Sequence, residues 1–482
     1  MAAGFDVARR SNEEYSTKFR DETSRIQVGR MSNHAGVRIP RFAYRIGAKA
    51  KKTFPLFLLV VGLSTCRRVD QKPLTLNYFR FGWSVTQAWA AESALAQNFT
   101  QETGIRVEDL PVPENALDQL DLSRKLVKDS SGVDVLGVDS ISSGALAGDL
   151  LDLRPYLSAE ISSIDPEYLS GYTVDGKLVA VPNSVLVGVL QYRADLLREY
   201  GYGHPPKTWD ELEKMAKRIQ AGERAKGDKE FWGYVWQGNN GEALTCNALE
   251  WQVAEGGGRI VEDDRTISVN NPGTIRAWRR AERWIGTISP PGVVEYKEFD
   301  SDNIFDSGEA VFNRVWREEP ITHGGRPRQF QWVNAVPGGR LGYTSIPGGP
   351  HGWDAVLGGA GLAVSRNSAH PKEAVEFVRA LIRGQIKRSD GWPTSYPDAS
   401  RLEPNVEDQH GASAKPTQPV SEIMSRPSNA TGSKYEEVTR AYSNAVHSVL
   451  TGKKEASGAA ADLEKQLITI TGFQTGPPKI AN

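Results

Sequence analysis

Apolar positions near residue 74 follow a period of two, and those that come next follow a period close to that of a helix. Residues 74–81 alternate as a strand does, and an apolar stripe then recurs at helical spacing from Val85 to Phe99. This alternation of strand and helix continues with a strand-like segment at 105–110, a helical one at 117–127 and a strand-like one at 133–138. Strands that alternate with helices predict a largely parallel sheet covered on both faces.

Polar residues follow two of these predicted strands. In open α/β sheets, ligands bind beyond the carboxyl ends of the strands, which here are Gly82-Trp83-Ser84 and Asp139-Ser140. Asp139 is therefore a candidate ligand-binding carboxylate. The alternative, in which Asp139 caps a helix that starts near Ser140, has about equal weight.

The segment 175–219 predicts a passage between two packed units. Its β-branched and leucine-rich part suits a strand buried on both faces, and Pro182 with Asn183 predicts a bend that divides it into two extended pieces. A short helix is expected at 194–200. A second helix is expected after Thr208, an N-cap residue type with Glu211 three residues later, as in a capping box.

The same segment carries a family resemblance. The order GK-x-x-AVP, then Tyr192-Arg193-x-Asp195-Leu196-Leu197, then Pro-x-Thr-Trp-Asp-Glu-Leu resembles the family 1 extracellular solute-binding proteins of bacterial ABC sugar importers. The resemblance implies an α/β, two-lobed periplasmic-binding-protein fold, similar to class II, with a central ligand cleft and strands that cross between the lobes.

The implied lobes share the chain in four pieces: residues 73–183 and 310–363 form the first lobe, and residues 187–306 and 366–482 form the second. The segment 305–312 resembles the second crossing of the family, and 357–365 resembles the third. Three extended crossings predict that the lobes close around a ligand by hinge rotation near 182–186, 310–312 and 362–365.

Residues 231–257 resemble the trehalose- and maltose-binding branch of the family, with W-Q-G, an acid before L-T-C and E-W before a glycine turn. A sugar presents apolar CH faces and hydroxyl groups, so its site needs aromatic planes surrounded by carboxylate, amide and guanidinium groups. The predicted ligand-binding residues are Trp83, Asp139, Asn183, Gln237, Glu242, Arg314 and Trp316. For Arg314, a pair with Glu318 four residues later is an open alternative.

Three positions depart from that branch. Where close relatives have an aromatic residue, an acid and another aromatic residue, this chain has Asn183, Leu186 and Ala360. The departures remove stacking surface and a hydroxyl acceptor, so the resemblance leaves the identity of the ligand open.

The N-terminal part predicts export and lipid attachment. Residues 1–53 are polar and are expected to be disordered or an over-long extension, with Met31 as an alternative initiator. The apolar run in 54–66 is shorter than the ~20 residues that span a bilayer and fits a signal peptide. It ends at Cys66 in a sequence that resembles the lipobox of bacterial lipoproteins, although Thr65 departs from the usual residue. An ordinary secretory signal with an incidental cysteine stays open.

Composition narrows the function classes. The 482 residues carry 58 Lys plus Arg against 59 Asp plus Glu, which favours neither nucleic acid nor an anionic surface as a partner. Only Cys66 and Cys246 are cysteines, so no cysteine-based metal site is expected. The acidic run 300–303 lacks the EF-hand pattern and is expected to cap a helix. No metal, cofactor or catalytic residue is predicted, and most of the twelve tryptophans, including Trp251, are expected in the core.

Three functions compete. The first is a monomeric lipoprotein in the periplasm or at the cell surface that captures a di- or oligosaccharide-like ligand for ABC permease subunits with a cytoplasmic ATPase. The second is the same scaffold with a different polar solute or with a sensor role. The third is a secreted glycoside hydrolase with Glu242 and Glu250 as its carboxylate pair. No sequence signature locates that pair at a scissile bond, so the chain is expected not to be an enzyme.

Overall fold

The computed structural model describes residues 73–80, 87–113, 116–128, 132–319, 321, 333–336, 339–352, 354–390 and 422–479. The predictions for residues 1–66, including lipidation of Cys66, and the stacking role of Trp83 lie outside these residues. Within these ranges, none of the helices has the length and apolar character that a membrane crossing requires.

The strands form one large mixed sheet and a small hairpin. They are β1 Thr75–Phe79, β2 Arg106–Asp109, β3 Val135–Asp139, β4 Thr173–Val174, β5 Lys177–Leu178, β6 Val181–Arg193, β7 Trp232–Val235, β8 Ala310–Glu319, β9 Val333–Val336, β10 Gly339–Ser345, β11 Asp354–Val364 and β12 Glu422–Met424. The large sheet has the order β2-β1-β3-β11-β6-β10-β9, with β8 beside β6, β7 beside β8 and β12 beside β11. Strands β1, β2 and β3 pair in parallel, which confirms the parallel sheet predicted for this region.

The helices cover this sheet. They are α1 Gln87–Thr103, α2 Ala116–Leu126, α3 Ser143–Leu146, α4 Ser158–Ile161, α5 Pro166–Ser170, α6 Ala194–Glu199, α7 Trp209–Lys226, α8 Glu242–Ala254, α9 Pro272–Trp284, α10 Glu298–Asp306, α11 Pro371–Asp390, α12 Ser428–Thr431, α13 Tyr435–Leu450 and α14 Ala456–Thr471. Short 3-10 turns occur at Ala147–Asp149, Pro291–Glu295 and Gly432–Lys434.

Two predicted helix starts are confirmed by their caps. The Thr208 hydroxyl accepts the N–H of Glu211 at 3.2 Å at the start of α7. At α10, Asp300 accepts the N–H of Lys297 at 2.9 Å, so Asp300 of the acidic run caps the helix as expected, and the rest of the run lies within the helix.

Strand β6 corrects one local prediction. Pro182 and Asn183 do not divide it, because a single strand runs over Val181–Arg193. The irregularity appears in the pairing with β11 instead, where Gly361 lies opposite Pro182 and Ala360 lies opposite Ser184. Asn183 is thus the extra residue of a bulge, which accommodates the missing N–H of the proline without ending the strand.

Buried apolar side chains form two large cores. The first includes Val181 to Val189 of β6 together with β1, β3 and α1, and the second begins at Leu190 and includes α7, α8, α9, α13 and α14. Strand β11 contributes Val356 to the second core and Ala355, Leu357 and Leu362 to the first, and β8 also contacts both. We call β6, β8 and β11 the crossing strands; they correspond to the three predicted crossings.

Helix α11 corrects a predicted lobe boundary. Phe377, Val378 and Leu381 belong to the first core, although residues 366–482 were expected in the second lobe. The Phe377 ring lies 5.4 Å from that of Tyr78 and 5.1 Å from that of Phe99, so aromatic packing holds α11 against β1 and α1. The other lobe boundaries stay predictions.

Tryptophan side chains fill the second core. Trp251 is 1% exposed, and its ring packs edge-on against Trp236 and Trp284 at centroid distances of 4.9 and 5.4 Å. Trp209 and Trp278 are equally buried. The core role predicted for Trp251 is confirmed.

Candidate functional site

Asp139 is the last residue of β3, at the carboxyl end of the parallel strands. Its Oδ1 accepts the N–H of Ile141 at 3.1 Å and the hydroxyl of Ser140 at 3.2 Å, which closes the turn that leads toward α3. Burial raises the pKa of Asp139, and the guanidinium of Arg426 and the N–H of Ile141 oppose that shift. The carboxylate therefore has a local structural role and also meets a cation.

Arg426, which the sequence reasoning missed, connects Asp139 to the second lobe. Its Nη2 donates to the Ser140 hydroxyl at 3.0 Å and to the Leu357 carbonyl at 3.3 Å, and lies 3.4 Å from Asp139 Oδ1. Its Nη1 donates to Glu242 Oε1 at 2.7 Å. These carboxylates lie 287 and 184 residues away along the chain, so no local pattern could have indicated the contact.

Glu242 is the first residue of α8, where the helix dipole favours an acid. Its Oε2 accepts the Thr439 hydroxyl at 2.7 Å, and its Oε1 also accepts the Tyr435 hydroxyl at 2.5 Å. Asp139 and Glu242 together bring two carboxylates to the one guanidinium of Arg426. We call these three residues the interlobe network.

Trp316 lies on β8 opposite Gly188 of β6 and is partly exposed. A Cβ on Gly358 would come within 3.0 Å of Trp316 Cζ3, so the ring lies against the backbone of β11. Gly358 directly follows Leu357, whose carbonyl accepts a hydrogen bond from Arg426. The aromatic candidate and the interlobe network therefore approach adjacent residues of β11.

Arg314 lies in the protein interior, although it was predicted to bind the ligand. It is fully buried, and its Nη2 donates to Glu250 Oε1 at 2.7 Å while Nε donates to Oε2 at 3.2 Å. Its guanidinium carbon lies 3.9 Å from the centroid of the Trp316 ring. The prediction of Arg314 as a donor to ligand hydroxyls is therefore corrected: its cation is matched by Glu250, and the alternative pair with Glu318 is not the one observed.

Gln237 also belongs to the interior. It is 1% exposed, and its Nε2 donates to the Ser301 hydroxyl at 2.8 Å and to the Arg314 carbonyl at 2.7 Å. Its Oε1 accepts from Asn247 Nδ2 at 2.9 Å. Both amide hydrogens are used inside the protein, so the predicted ligand-binding role of Gln237 is corrected to a structural one.

The side-chain amide of Asn183 contacts the first lobe. Its Nδ2 donates to Glu92 Oε2 at 2.9 Å, and the other oxygen of Glu92 accepts the Tyr78 hydroxyl at 2.5 Å. Glu92 on α1 was not predicted, because its helix carries no motif around it. Asn183 is thus near the first-lobe face of β6, and among the described residues no hydrogen bond joins its side chain to the interlobe network.

Trp236 and Cys246 of the second core have structural roles. The indole N–H of Trp236 donates to Ser289 at 3.0 Å inside the core. Cys246 is buried without a disulfide, and burial raises the pKa of its thiol to about 12. Among the described residues, no group of three or more His, Cys, Asp and Glu side chains is placed to hold a metal ion.

A family model described as bacterial extracellular solute-binding protein matches residues 82–383. A probable ABC transporter-binding protein of Deinococcus radiodurans is 38% identical over 386 residues, which cover 78% of this chain and 89% of that protein. The chain belongs to the bacterial extracellular solute-binding protein family. As such, this solute-binding protein acts outside the cytoplasm, binds a small-molecule ligand and has the permease of an ABC importer as its partner.

Solved structures confirm the two-lobed α/β fold of the solute-binding protein. The chain is similar to maltose-bound MalE3 of T. maritima, with a TM-score of 0.65 and 27% identity over 82% of this chain and 100% of that chain. It is also similar in fold to a ribitol-bound ABC transporter solute-binding protein from Agrobacterium radiobacter K84, with a TM-score of 0.59 and 23% identity over 83% of this chain and 100% of that chain.

Proposed function

We propose that the solute-binding protein captures a carbohydrate, of the di- or oligosaccharide type, against Trp316 and the interlobe network and delivers it to its ABC importer. The observation that carries this proposal is that the Trp316 ring and Arg426 lie against adjacent residues of β11, Gly358 and Leu357. An indole face suits the CH face of a sugar, and carboxylates suit its hydroxyl donors. The maltose bound to MalE3 of T. maritima supports the same class of ligand.

The departures from the disaccharide-binding pattern keep a second candidate in view. Ala360 lies opposite Asp139 in the pairing of β11 with β3 and offers no stacking face. Trp316 is then a partly exposed aromatic plane beside this part of β11, whereas Tyr435, whose hydroxyl contacts Glu242, is buried. A smaller polyol, another polar solute or a sensor role is favoured if no di- or oligosaccharide binds.

The test is a thermal-shift screen of the purified protein with maltose, trehalose, maltotriose, ribitol and glucose, followed by titration calorimetry on each hit. Trp316→Ala and Asp139→Ala should each weaken binding by about 1 to 3 kcal/mol, because the first removes contact area and the second removes a hydroxyl acceptor. Trp232→Ala is the matched control, since Trp232 stacks on Arg224 at 4.3 Å outside this site.

Two results would overturn the assignment. If no sugar or polyol raises the melting temperature, the ligand class is wrong. If a ligand binds and both site variants match the parent, the ligand class stands and the site lies elsewhere.

Glu250 supports a non-catalytic role. It is fully buried in its pair with Arg314, so it has no access to a glycosidic bond, and a hydrolase would lose one of its two carboxylates. We expect no release of glucose from maltose or maltotriose by the parent protein above the rate of a heat-treated sample. Release by the parent that Glu242→Gln abolishes would contradict this role.

Anchoring through Cys66 forms a separate part of the proposal. A basic segment, a short apolar run and a cysteine occur in that order, as a lipoprotein signal requires. Cys66→Ala should move the protein from the membrane fraction to the soluble fraction, with Cys246→Ala as the control. An unchanged membrane fraction would reject lipid attachment at Cys66.

Lobe closure is proposed for the monomer. The crossing strands connect two cores, and binding between lobes favours hinge rotation. Small-angle scattering should give a smaller radius of gyration with saturating ligand than without it. Constant dimensions with a ligand that calorimetry shows to bind would reject the hinge.

A further inference from the structure

Glu250 ties a second-lobe helix to two crossing strands. It lies on α8 and makes a two-point ion pair with Arg314 of β8, with both side chains 0% exposed. The same Oε1 accepts the backbone N–H of Val356 in β11 at 3.3 Å. A buried carboxylate with this set of donors has one orientation, because any other would leave the cation of Arg314 unmatched.

The third crossing strand makes room for the pair. A Cβ on Gly188 of β6 would lie 2.2 Å from Glu250 Oε1 and 2.5 Å from Arg314 Nη2. Any larger residue would displace one of the two side chains. The pair is therefore confined by β6, β8 and β11 at the place where they pass between the cores.

The pair also defines the position of Trp316. The guanidinium carbon of Arg314 lies 3.9 Å from the centroid of the indole ring, well within the range of a cation–π contact. A planar guanidinium can hold a carboxylate with two N–H groups and stack on a ring at once, which a lysine ammonium cannot do. Gly358 lies against the edge of the ring at Cζ3, so the ring is confined from a second side.

We propose that Glu250 and Arg314 are positioning residues, which hold the Trp316 ring as a preformed stacking face while neither touches the ligand. The proposal rests on the sugar-binding function proposed above, because it gives that face its purpose. A ring fixed before binding loses less conformational freedom on binding than a mobile one, so the pair increases affinity through Trp316.

The first experiment needs no ligand. The full chain is labelled with 5-fluorotryptophan, and its ¹⁹F resonance for Trp316 is identified by its loss in Trp316→Phe. Arg314→Lys, Glu250→Gln and Gly188→Ala disturb the pair from three sides and should each shift or broaden that resonance. Glu255→Gln is the matched control: Glu255 is also buried at the end of α8 and pairs with Arg276 and Arg280, apart from Trp316.

The second experiment is a double-mutant cycle with maltose as the probe. Arg314→Lys should weaken maltose binding about tenfold in the parent and less than about twofold in a Trp316→Ala background, because its effect passes through the ring. A residue that only stabilises the fold would change the unfolding midpoint but would not show this dependence on Trp316. Glu255→Gln should leave the affinity unchanged.

The outcomes separate the two proposals. An unchanged Trp316 resonance in the folded variants, or an equal loss of affinity in both backgrounds, overturns the positioning role and leaves sugar binding intact. Failure of maltose to bind the parent counts against the proposed ligand, and the ¹⁹F resonance then decides the positioning role by itself. Circular dichroism identifies which variants are folded.

Discussion

Helix α8 supplies the acids of two acid–arginine pairs, Glu242 with Arg426 and Glu250 with Arg314. The two pairs differ in their access to solvent. The side chains of the first pair are 21% and 4% exposed, and those of the second are both 0% exposed. Glu242 shares its arginine with Asp139 and also accepts two hydroxyl groups. Glu250 holds its arginine alone and accepts one backbone N–H from a crossing strand.

The difference in solvent access supports the two roles proposed for these pairs, ligand binding for the first and positioning of Trp316 for the second. A partly accessible network with more carboxylates than cations can exchange an internal hydrogen bond for one to a hydroxyl group of a ligand. The fully buried pair of Glu250 and Arg314, which we call the dry pair, cannot exchange its hydrogen bonds in this way, because separating the two side chains would leave an uncompensated charge in the interior. Two glutamates on one helix, each paired with an arginine, thus have different proposed roles, and their tertiary surroundings distinguish them.

Loss of Glu250 should have the largest effect. Glu250→Ala leaves the Arg314 cation buried without a counter-charge, so we expect the free energy of unfolding to fall by about 3 to 5 kcal/mol. Guanidinium-induced unfolding followed by circular dichroism measures it. Glu255→Ala should cost less, because Arg280 keeps Asp210 and Glu213. If Glu250→Ala and Glu255→Ala lower the free energy of unfolding by the same amount, the dry pair is no more important for stability than the ion pairs of Glu255.

Loss of Arg426 should have an intermediate effect on stability and a clear effect on binding. Arg426→Ala removes hydrogen bonds to both lobes, but Glu242 retains Tyr435 and Thr439, so we expect a cost of about 2 kcal/mol. Arg124→Ala is the control, since Arg124 of α2 also reaches an acid of the second core region, Glu436, at 3.5 Å, and is 25% exposed.

The Arg124 variant should change stability by less than about 1 kcal/mol. Calorimetry with the sugar found in the screen should show weaker binding for Arg426→Ala and unchanged binding for Arg124→Ala. If both variants lose affinity equally, the network acts only by holding the lobes together.

The smallest effect is expected for Asp302 of α10, which interacts with the charge of Arg314 in the dry pair. The pKa of Asp302 is raised to about 6, mainly by burial. The charges of Asp306 and Glu298 contribute to the rise, and the hydrogen bond with Asn313 and the charge of Arg314 oppose it. In an unfolded chain an aspartate has a pKa of about 3.9. The stabilisation from the protonated form is therefore present below about pH 4 and is lost as the pH rises through about 6.

Asp302→Asn removes this dependence. Relative to the parent, the variant should gain about 1 kcal/mol in the free energy of unfolding between pH 5.5 and pH 7.5. Urea unfolding at the two pH values measures the difference, and Asp264→Asn, at an exposed carboxylate whose pKa is lowered by Lys479, should not show a gain of this sign. A constant difference between parent and Asp302→Asn would mean that Asp302 is ionised throughout.

The sequence predicted the parts of the fold that depend on neighbouring residues. The cap of Thr208 on α7 and the alternation of β1 to β3 with their helices are local, because hydrogen bonds and apolar stripes within one element set them. The bend at Pro182 was wrong, since β6 stays one strand and takes up the irregularity as a bulge at Asn183 in its pairing with β11. A single strand carries no information about what its partner can absorb.

The site was predicted in part. Asp139, Glu242 and Trp316 follow from strand ends and from the resemblance to the family, and the structure brings them to one region of β11 and α8. Gln237 and Arg314 have the right chemistry but are used inside the protein. Burial alone distinguishes them from binding residues, and burial depends on contacts between distant segments.

By itself, the sequence determined the residue types, the order of strands and helices, the family motifs and the local caps. Only the tertiary structure decided that Arg426 joins Asp139 to Glu242, that α11 packs in the first core and that Glu250 neutralises Arg314 beneath Trp316. The physical reason is separation along the chain: Arg426 and Asp139 are 287 positions apart, and the contact of Phe377 with Tyr78 joins residues still farther apart. Their energies depend on desolvation, which exists only once the two cores and the crossing strands have assembled.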